Sequence, residues 1–289
     1  MTIRFEEETA VGAQGSGRYA VSFSRDWFVH AGPNGGVVAA VLLRAAVAEV
    51  NEPLRTPRTL TVHYLGPPAE GPAEVHVTTE RSGRGVSFLS ARLVQPNSSS
   101  QHDAGGQPGA VKAVALIAFG APRAERVAWS ARALPAMPDP ASCPELALDI
   151  EASPPNIRLR WDCRWALGQA NATGPTEGTL TGGWIRASVP TAVDHVLVAA
   201  MADAWLPPVI ARAGIPPLSV PTVELTVHFR DTATLAQMTP IDWFACSFRT
   251  DVAQEGFLEE DGLIWSGDGR LVAMSRQLAV VAERREFSQ

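Results

Sequence analysis

Two stretches of this chain are apolar on almost every side, while most of the remaining structured sequence alternates. Residues 37–48 are broken only by Arg44, and residues 196–210 only by Asp203 and the Pro207-Pro208 pair. A surface helix carries an apolar stripe and a polar back, so a helix apolar all round is one enclosed by something else. Elsewhere the period is two, the mark of half-buried strands. In residues 59–65, Leu60, Val62 and Tyr64 share one face, and Thr61 and His63 the other. This patterning predicts a short strand over 18–27. A helix follows over 37–50, entered through Gly35-Gly36 and stopped before Pro53. Strands are expected over 59–65, 73–81, 86–95 and 111–120, with Ser82-Gly83-Arg84-Gly85 as a hairpin turn. Residues 96–110, rich in Ser, Gly, Asn and Gln, read as an exposed hairpin loop.

The pattern occurs twice. Leu60-Thr61-Val62-His63-Tyr64 returns 165 residues later as Leu225-Thr226-Val227-His228-Phe229. Each copy follows an apolar run and a proline-bearing loop (Pro53 and Pro57; Pro216, Pro217 and Pro221), and each precedes further strand-like runs. The second copy predicts strands over 157–167 and 180–187, a helix over 194–213 with Asp194 as its cap, and a strand over 222–230. Strands over 243–250, 256–265 and 271–281 complete it, with Gly267-Asp268-Gly269 in the last hairpin. Residues 121–156 hold seven prolines and little periodicity, so they read as a crossing linker. The expected organisation is an N-terminal unit over 1–120, the linker over 121–156 and a C-terminal unit over 157–289. One long helix and an antiparallel meander, twice over, is an α+β arrangement. Two curved antiparallel sheets can each wrap one helix and join edge to edge, covering strand edges that would otherwise be open.

Composition narrows the function. With 46% hydrophobic residues the 289-residue chain can build an ordinary packed core. A net charge of −6 argues against a nucleic-acid partner. Lys112 is the single lysine among 24 basic residues, which reads as coding bias toward arginine. Glu6, Glu7 and Glu8 stand where a secretion signal would be basic and then apolar. Neither apolar run reaches the roughly 20 residues that cross a bilayer. A cytoplasmic protein without a membrane span is therefore expected. Cys143, Cys163 and Cys246 are odd in number and widely spaced, as for buried free thiols. No G-x-S-x-G or H-E-x-x-H run occurs, so neither a serine nucleophile nor a metal is called for, and no cofactor is expected. The Gly15-Ser16-Gly17 echo of a dinucleotide loop lacks a preceding strand, and Glu259-Glu260-Asp261 reads as a solvated strand end.

Several short motifs, in order and spacing, resemble the double-hotdog acyl-CoA thioesterases, the acyl-CoA thioesterase II and thioesterase-like family. In the first half they are Pro33-Asn34-Gly35-Gly36, the strand from Leu60 to Tyr64, Gly83-Arg84, Ser87 and Ala91-Arg92. In the second they are Ala202-Asp203-Ala204-Trp205, Thr222 with Leu225 to Phe229, and the run from Asp268 through Ser275-Arg276-Gln277. The resemblance implies an Asp on the second helix, a Thr on the next strand and a Gln on the last, together holding a hydrolytic water. Asp203, Thr222 and Gln277 occupy those positions.

The residues support this independently. Asp203 is the one carboxylate in its apolar run, where an unpaired charge is costly. At the 165 offset Asp203 falls near Val38 and Thr222 on Pro57; at an offset of 160, after a loop-length change, Gln277 falls on Ile117. The polar set is thus confined to one half, which predicts one site per chain. Asn34-Gly35-Gly36, at a helix start, suits an oxyanion donor from backbone N–H. By the resemblance, Gly35 and Gly36 would meet Asp203 across the two halves. His63 and His228, at one repeat position, read as structural, and Trp205 and Trp265 as packing.

The expected reaction is hydrolysis of an acyl-CoA, or a related acyl thioester, to acid and thiol. Water activation by Asp203 and direct attack to an anhydride both remain open. The acyl group would lie in an apolar tunnel between the halves, with arginines at its mouth meeting the CoA phosphates. Two rivals keep the fold: a non-catalytic acyl-CoA or lipid-binding module, and an enoyl-thioester hydratase or dehydratase. The latter wants a helix Asp beside a His, whereas His195 lies eight residues before Asp203. A fused pair already satisfies the minimal hotdog unit, so a homodimer or higher homo-oligomer is optional.

Overall fold

The computed structural model describes residues 4–29, 32–96, 109–121, 123–124, 126–145, 156–168, 178–213 and 218–283. The first half runs through α1 (Phe5–Glu8), β1 (Gly12–Gly15), β2 (Arg18–Phe23), α2 (Gly35–Val50), β3 (Thr56–Tyr64), β4 (Gly71–Ser82), β5 (Val86–Gln95) and β6 (Ala110–Gly120). The second begins with β7 (Trp161–Leu167), β8 (Leu180–Ala187), α3 (His195–Met201), α4 (Pro208–Ala213), β9 (Leu218–Ser219) and β10 (Thr222–Phe229). It continues with α5 (Thr232–Leu235), β11 (Phe244–Arg249), β12 (Ala253–Gln254), β13 (Phe257–Ser266), β14 (Leu271–Val280) and β15 (Ala282–Glu283).

Thirteen of these strands form one antiparallel sheet in the order β1-β2-β4-β5-β6-β3-β10-β14-β13-β11-β8-β7, with β12 on β13. This is the expected double hotdog of the α+β class. The two copies of the repeated strand pair with each other. Thr61 stands opposite Thr226, their hydroxyls 2.9 Å apart, and Leu60 and Val62 face Val227 and Leu225. A local two-fold axis therefore passes between the two threonines, and each half covers the edge the other would leave open.

α2 is capped by Asn34, whose side chain accepts the Gly36 N–H, and ends at left-handed Asn51. From Gly36 to Leu43 every residue is buried, each Val or Leu contributing about 1.5–3 kcal/mol. α3 lies antiparallel beside it. Gly36 meets Ala200 at one end of the pair, and Arg44 meets Asp194 at 3.0 Å at the other. Both helices share one apolar core with the inner face of the sheet.

Three expectations need correction. The strand expected over 18–27 stops at Phe23, and a 3₁₀ turn follows at Arg25–Trp27. The strand expected from 157 begins at Trp161, after a 3₁₀ turn over Asn156–Arg160. The long second helix is broken: α3 has seven residues, and α4 starts at Pro208. Proline can open a helix but disfavours helical geometry in the residue before it. At the end of α3 the turn tightens, with Asp203 N–H on the Ala200 carbonyl and Ala204 N–H on that of Met201. Asp203 therefore sits in a turn after the helix.

The described part of the linker is docked. Indole N–H groups of Trp265 and Trp184 donate to the Arg132 and Pro138 carbonyls at 2.9 Å, and Leu134, Met137 and Cys143 pack there. The three cysteines are buried, unpaired thiols. Most of the loop expected over 96–110, and Pro216 and Pro217, lie outside the described residues. No helix among the described residues is long and apolar enough to cross a membrane.

Candidate active site

A bulge aims Thr222 into the protein. Leu225, Val227 and Phe229 of β10 point inward and are buried, so strict alternation would turn Thr222 outward. The register with β14 shifts between Thr222 and Glu224, inserting one residue at Val223, and Thr222 pairs with inward-facing Ala279. Bulges commonly re-aim a side chain in this way. Thr222 Oγ1 then lies 3.0 Å from Oε1 of buried Gln277. β3 carries the same irregularity between Pro57 and Thr59, at the same repeat position, with Pro57 in the place of Thr222.

Asp203 reaches this pair from the turn after α3. Its Oδ2 accepts from Gly36 N–H and from Asn34 Nδ2, both at 3.0 Å, and Asn34 Nδ2 also lies 2.9 Å from the Asp203 carbonyl. Gly35 N–H and the Thr222 hydroxyl stand close enough to the same carboxylate to favour its charged form. Most of the donors thus come from the N-terminus of α2, where free amides and the helix dipole favour an anion. The approach requires glycine. A methyl on Gly35 would stand 2.8 Å from Asp203 Oδ2, and one on Gly36 3.1 Å from the Ala200 carbonyl carbon.

Burial raises the Asp203 carboxyl to about 6, against the lowering effect of Gly36, Asn34, Gly35 and Thr222. It is half-buried, and charged but basic near neutrality. Tyr64 O–H donates to the Gly35 carbonyl at 2.8 Å, bracing the helix start. Burial, then the charges of Asp203 and Glu224, push its phenol well above the usual range, so it remains a donor. Behind the site, Gln277 Nε2 lies 2.7 Å from Oε1 of Glu260. Glu260 is 4% exposed, and its Oε2 has no hydrogen-bond partner among the described residues. Burial raises its carboxyl to about 8; the Gln277 bond opposes this, and the charges of Asp203 and Glu259 add to it.

The fold therefore gathers Asp203, Thr222, Gln277, Gly35 and Gly36. One detail differs from expectation: Gly36 N–H, expected as a free oxyanion donor, is shared by Asp203 Oδ2 and Asn34 Oδ1. Sequence reasoning missed the side-chain roles of Asn34 and Tyr64, and it placed Glu260 in solvent. The signal for Glu260 was its phase, because Leu258, Glu260, Gly262 and Ile264 form the buried face of β13. Register also supplies its counterpart. Glu260–Gln277–Leu225 in the second half corresponds to Leu89–Ile117–Leu60 in the first. Aligning the caps Asn34 and Asp194 matches Asp203 to Leu43 rather than Val38, and both are buried aliphatics.

His195 begins α3 at the opposite end from Asp203. It bonds Thr232 at 3.2 Å, stands edge-on to Phe229, and is lowered to about 4 mainly by burial. His63 and His228 are exposed, and Trp205 and Trp265 are packed inside. No group of three His, Cys, Asp or Glu side chains among the described residues could hold a metal. A cleft of about 490 Å³ lined by Tyr19, Glu49 and Thr78 lies at the far end of α2, about 20 Å along the helix from Gly36.

Comparison with known proteins is consistent with this geometry. An acyl-CoA thioesterase N-terminal domain model matches residues 23–121, and an acyl-CoA thioesterase C-terminal domain model matches residues 132–281. A conserved hotdog-fold protein of unknown function from Alicyclobacillus acidocaldarius superposes with a TM-score of 0.80 at 25% identity, over 96% of this chain and 97% of that one. A candidate thioesterase II from Thermobifida fusca gives 0.80 at 24%, over 97% and 98%. An acyl-CoA thioesterase II from Mycobacterium marinum gives 0.72 at 21%, over 98% and 100%. Comparison with curated proteins yields no match. With both halves matched in order, one of them over more than half the chain, this polypeptide belongs to the acyl-CoA thioesterase family.

Proposed function

We propose that the chain hydrolyses acyl thioesters of the acyl-CoA class to a carboxylic acid and a thiol, with Asp203 as general base. The observation that carries this reading is a carboxylate raised toward neutrality, held at the start of α2 with Thr222 and Gln277 beside it. A water seated among the three attacks the thioester carbonyl carbon while Asp203 takes its proton. The donors on Oδ2 fix the carboxylate and blunt it as a nucleophile, which favours water activation over an anhydride. Once Asp203 is protonated, its claim on Gly36 N–H weakens, and that N–H turns to the new oxyanion. Collapse of the intermediate breaks the C–S bond, and the proton on Asp203 passes to the departing thiolate. The apolar first-half counterparts Pro57, Ile117 and Leu89 support one site per chain. The buried thiols support a reducing, cytoplasmic setting.

The test is thiol release by the purified full chain from short, medium, long and aromatic acyl-CoAs. Asp203→Asn is expected to lower kcat by about 10²–10⁴-fold; hydrolysis at the wild-type rate in that variant would refute the assignment. Water addition to an enoyl-CoA without thiol release would mark a hydratase, and tight binding without reaction would mark a binding module.

A further inference from the structure

The Thr222 hydroxyl has one proton and two acceptors. It lies 3.0 Å from the amide oxygen of Gln277, and it also stands close enough to the Asp203 carboxylate to favour its charged form. Which acceptor receives the proton depends on which way round the Gln277 amide is seated. A half-turn of the amide exchanges its oxygen and nitrogen while keeping the contacts of 3.0 Å to Thr222 and 2.7 Å to Glu260. With the nitrogen toward Glu260, the Thr222 proton goes to the amide oxygen and Asp203 loses a donor. With the oxygen toward Glu260, the amide N–H supplies Thr222, and Thr222 is free to donate to Asp203.

The second arrangement needs a donor at position 260. A carboxylate cannot provide one, but a carboxylic acid can. Asp203 receives several donors, whereas among the described residues Glu260 hydrogen-bonds only the Gln277 amide and its second oxygen has no partner. Of two acidic groups in one buried network, the well-solvated one carries the charge.

The charges acting on Glu260 all disfavour its ionisation: Asp203 across the site and Glu259 beside it on β13. The neighbouring cations are engaged elsewhere, Arg276 with Asp261 and Glu259, and Arg249 with Asp251. Continuing the Arg249–Asp261 register brings Thr250 opposite Glu260. Its hydroxyl is buried and also lacks a partner among the described residues. Among the described residues no positive group is paired with Glu260 there.

We propose that Glu260 is a positioning residue for the reaction: as a neutral acid it donates to the Gln277 carbonyl, turning the amide so that Thr222 donates to Asp203. The hydrogen-bond chain then runs in one direction, from Glu260 through Gln277 and Thr222 to the Asp203 carboxylate. Ionising Glu260 reverses the amide and withdraws the Thr222 donor. The inference rests on the assignment of Asp203 as base, but its first test does not use catalysis.

Infrared spectra of the full chain at pH 7 are expected to show a buried carboxylic-acid C=O band. The band disappears with a midpoint near 8 and is missing from Glu260→Gln. The side-chain amide resonances of Gln277, identified by their loss in Gln277→Leu, are expected to move with the same midpoint in the wild type and to stay still in Glu260→Gln. In turnover, the wild-type kcat falls about tenfold across that midpoint, the loss of one hydrogen bond to a charged group. Glu260→Gln removes this alkaline limb with little change in KM. Absence of the acid band at pH 7, an amide that ignores the titration, or an alkaline limb surviving in Glu260→Gln would each overturn the proposal. Failure of the wild type to release thiol from any acyl-CoA would refute the hydrolytic reading alone, since the spectroscopic results still decide the role of Glu260 in the network.

Discussion

Adding a single methyl group at Gly36 tests how the two halves build the site. That methyl would stand 3.1 Å from the carbonyl carbon of Ala200 and nearer still to its oxygen, whereas non-bonded carbons rest at about 3.5–4.0 Å. The obstacle is backbone, which cannot rotate aside, so α2 and α3 must separate by roughly 0.5–1 Å. Overpacking on this scale costs about 1–3 kcal/mol of stability. The same displacement stretches the 3.0 Å bond from Gly36 N–H to Asp203 Oδ2 toward rupture. A hydrogen bond to a charged group contributes about 1.5–3 kcal/mol, so full loss in the transition state lowers kcat roughly 10- to 100-fold. Because that N–H holds the Asp203 pKa down, the acid limb of kcat/KM, expected near 6 in the wild type, moves to higher pH in Gly36→Ala. Gly66→Ala is the control: nothing lies within 4 Å of the added carbon, and such a change stabilises by about 0.4–1 kcal/mol or is neutral. Urea midpoints and thiol release between pH 5 and pH 8 measure both effects. A Gly36→Ala protein matching the wild type in stability and pH profile, or shifted no more than Gly66→Ala, would show that the close approach is not what holds Asp203.

Asn34→Ala removes both the cap of α2 and a donor to Asp203. It should destabilise by about 0.5–2 kcal/mol and raise the acid limb, read by calorimetry and pH-rate profiles. Thr222→Ser should retain most activity, whereas Thr222→Val, which keeps the shape without the hydroxyl, should lose about tenfold; equal rates in the two would remove the hydroxyl from the mechanism. Asp203 and Glu260 both have raised pKa values in the folded chain. The folded state therefore binds their protons more tightly than the unfolded state, and their contribution to stability is full below about pH 4. It is lost as pH rises through about 6 and then about 8. Glu260→Leu, which installs the side chain of its counterpart Leu89, should thus have a higher urea midpoint than the wild type at pH 9; a lower one would contradict the burial argument. Trp265→Phe deletes the indole bond to the Arg132 carbonyl, and faster amide exchange over 126–140 should follow.

Much of this architecture is written in local patterns. Period-two alternation delimits β5 at the residues observed, because alternation is what a half-buried strand requires. The apolar girth of α2 and the glycine pair at its start are equally local. Asp203 was legible as a charge stranded in an apolar run, and Thr222 and Gln277 as polar residues with aliphatic partners one repeat away. Other features depend on pairing partners that no local pattern contains. Apolar composition continues through the break after Met201, while the turn there is fitted around Gly36 of the other half. The Val223 bulge arises in the register with β14, and without it Thr222 would face away from Asp203. Glu260 was misplaced because its acidic neighbours outweighed its phase on the strand.

A symmetric homodimer must place the same residues at both ends of any helix pair that straddles its axis. Covalent fusion removes that obligation, and here the two ends have diverged. One end joins Asp203 to Gly36, while the opposite end is closed by Arg44 and Asp194, with Thr9 also bonded to the arginine. The bulge persists in both copies, so the scaffold keeps two equivalent places although only one carries the polar cluster. Tandem architecture thus permits an asymmetric arrangement across one chain, with a part-exposed end-cap ion pair at the end opposite the polar cluster.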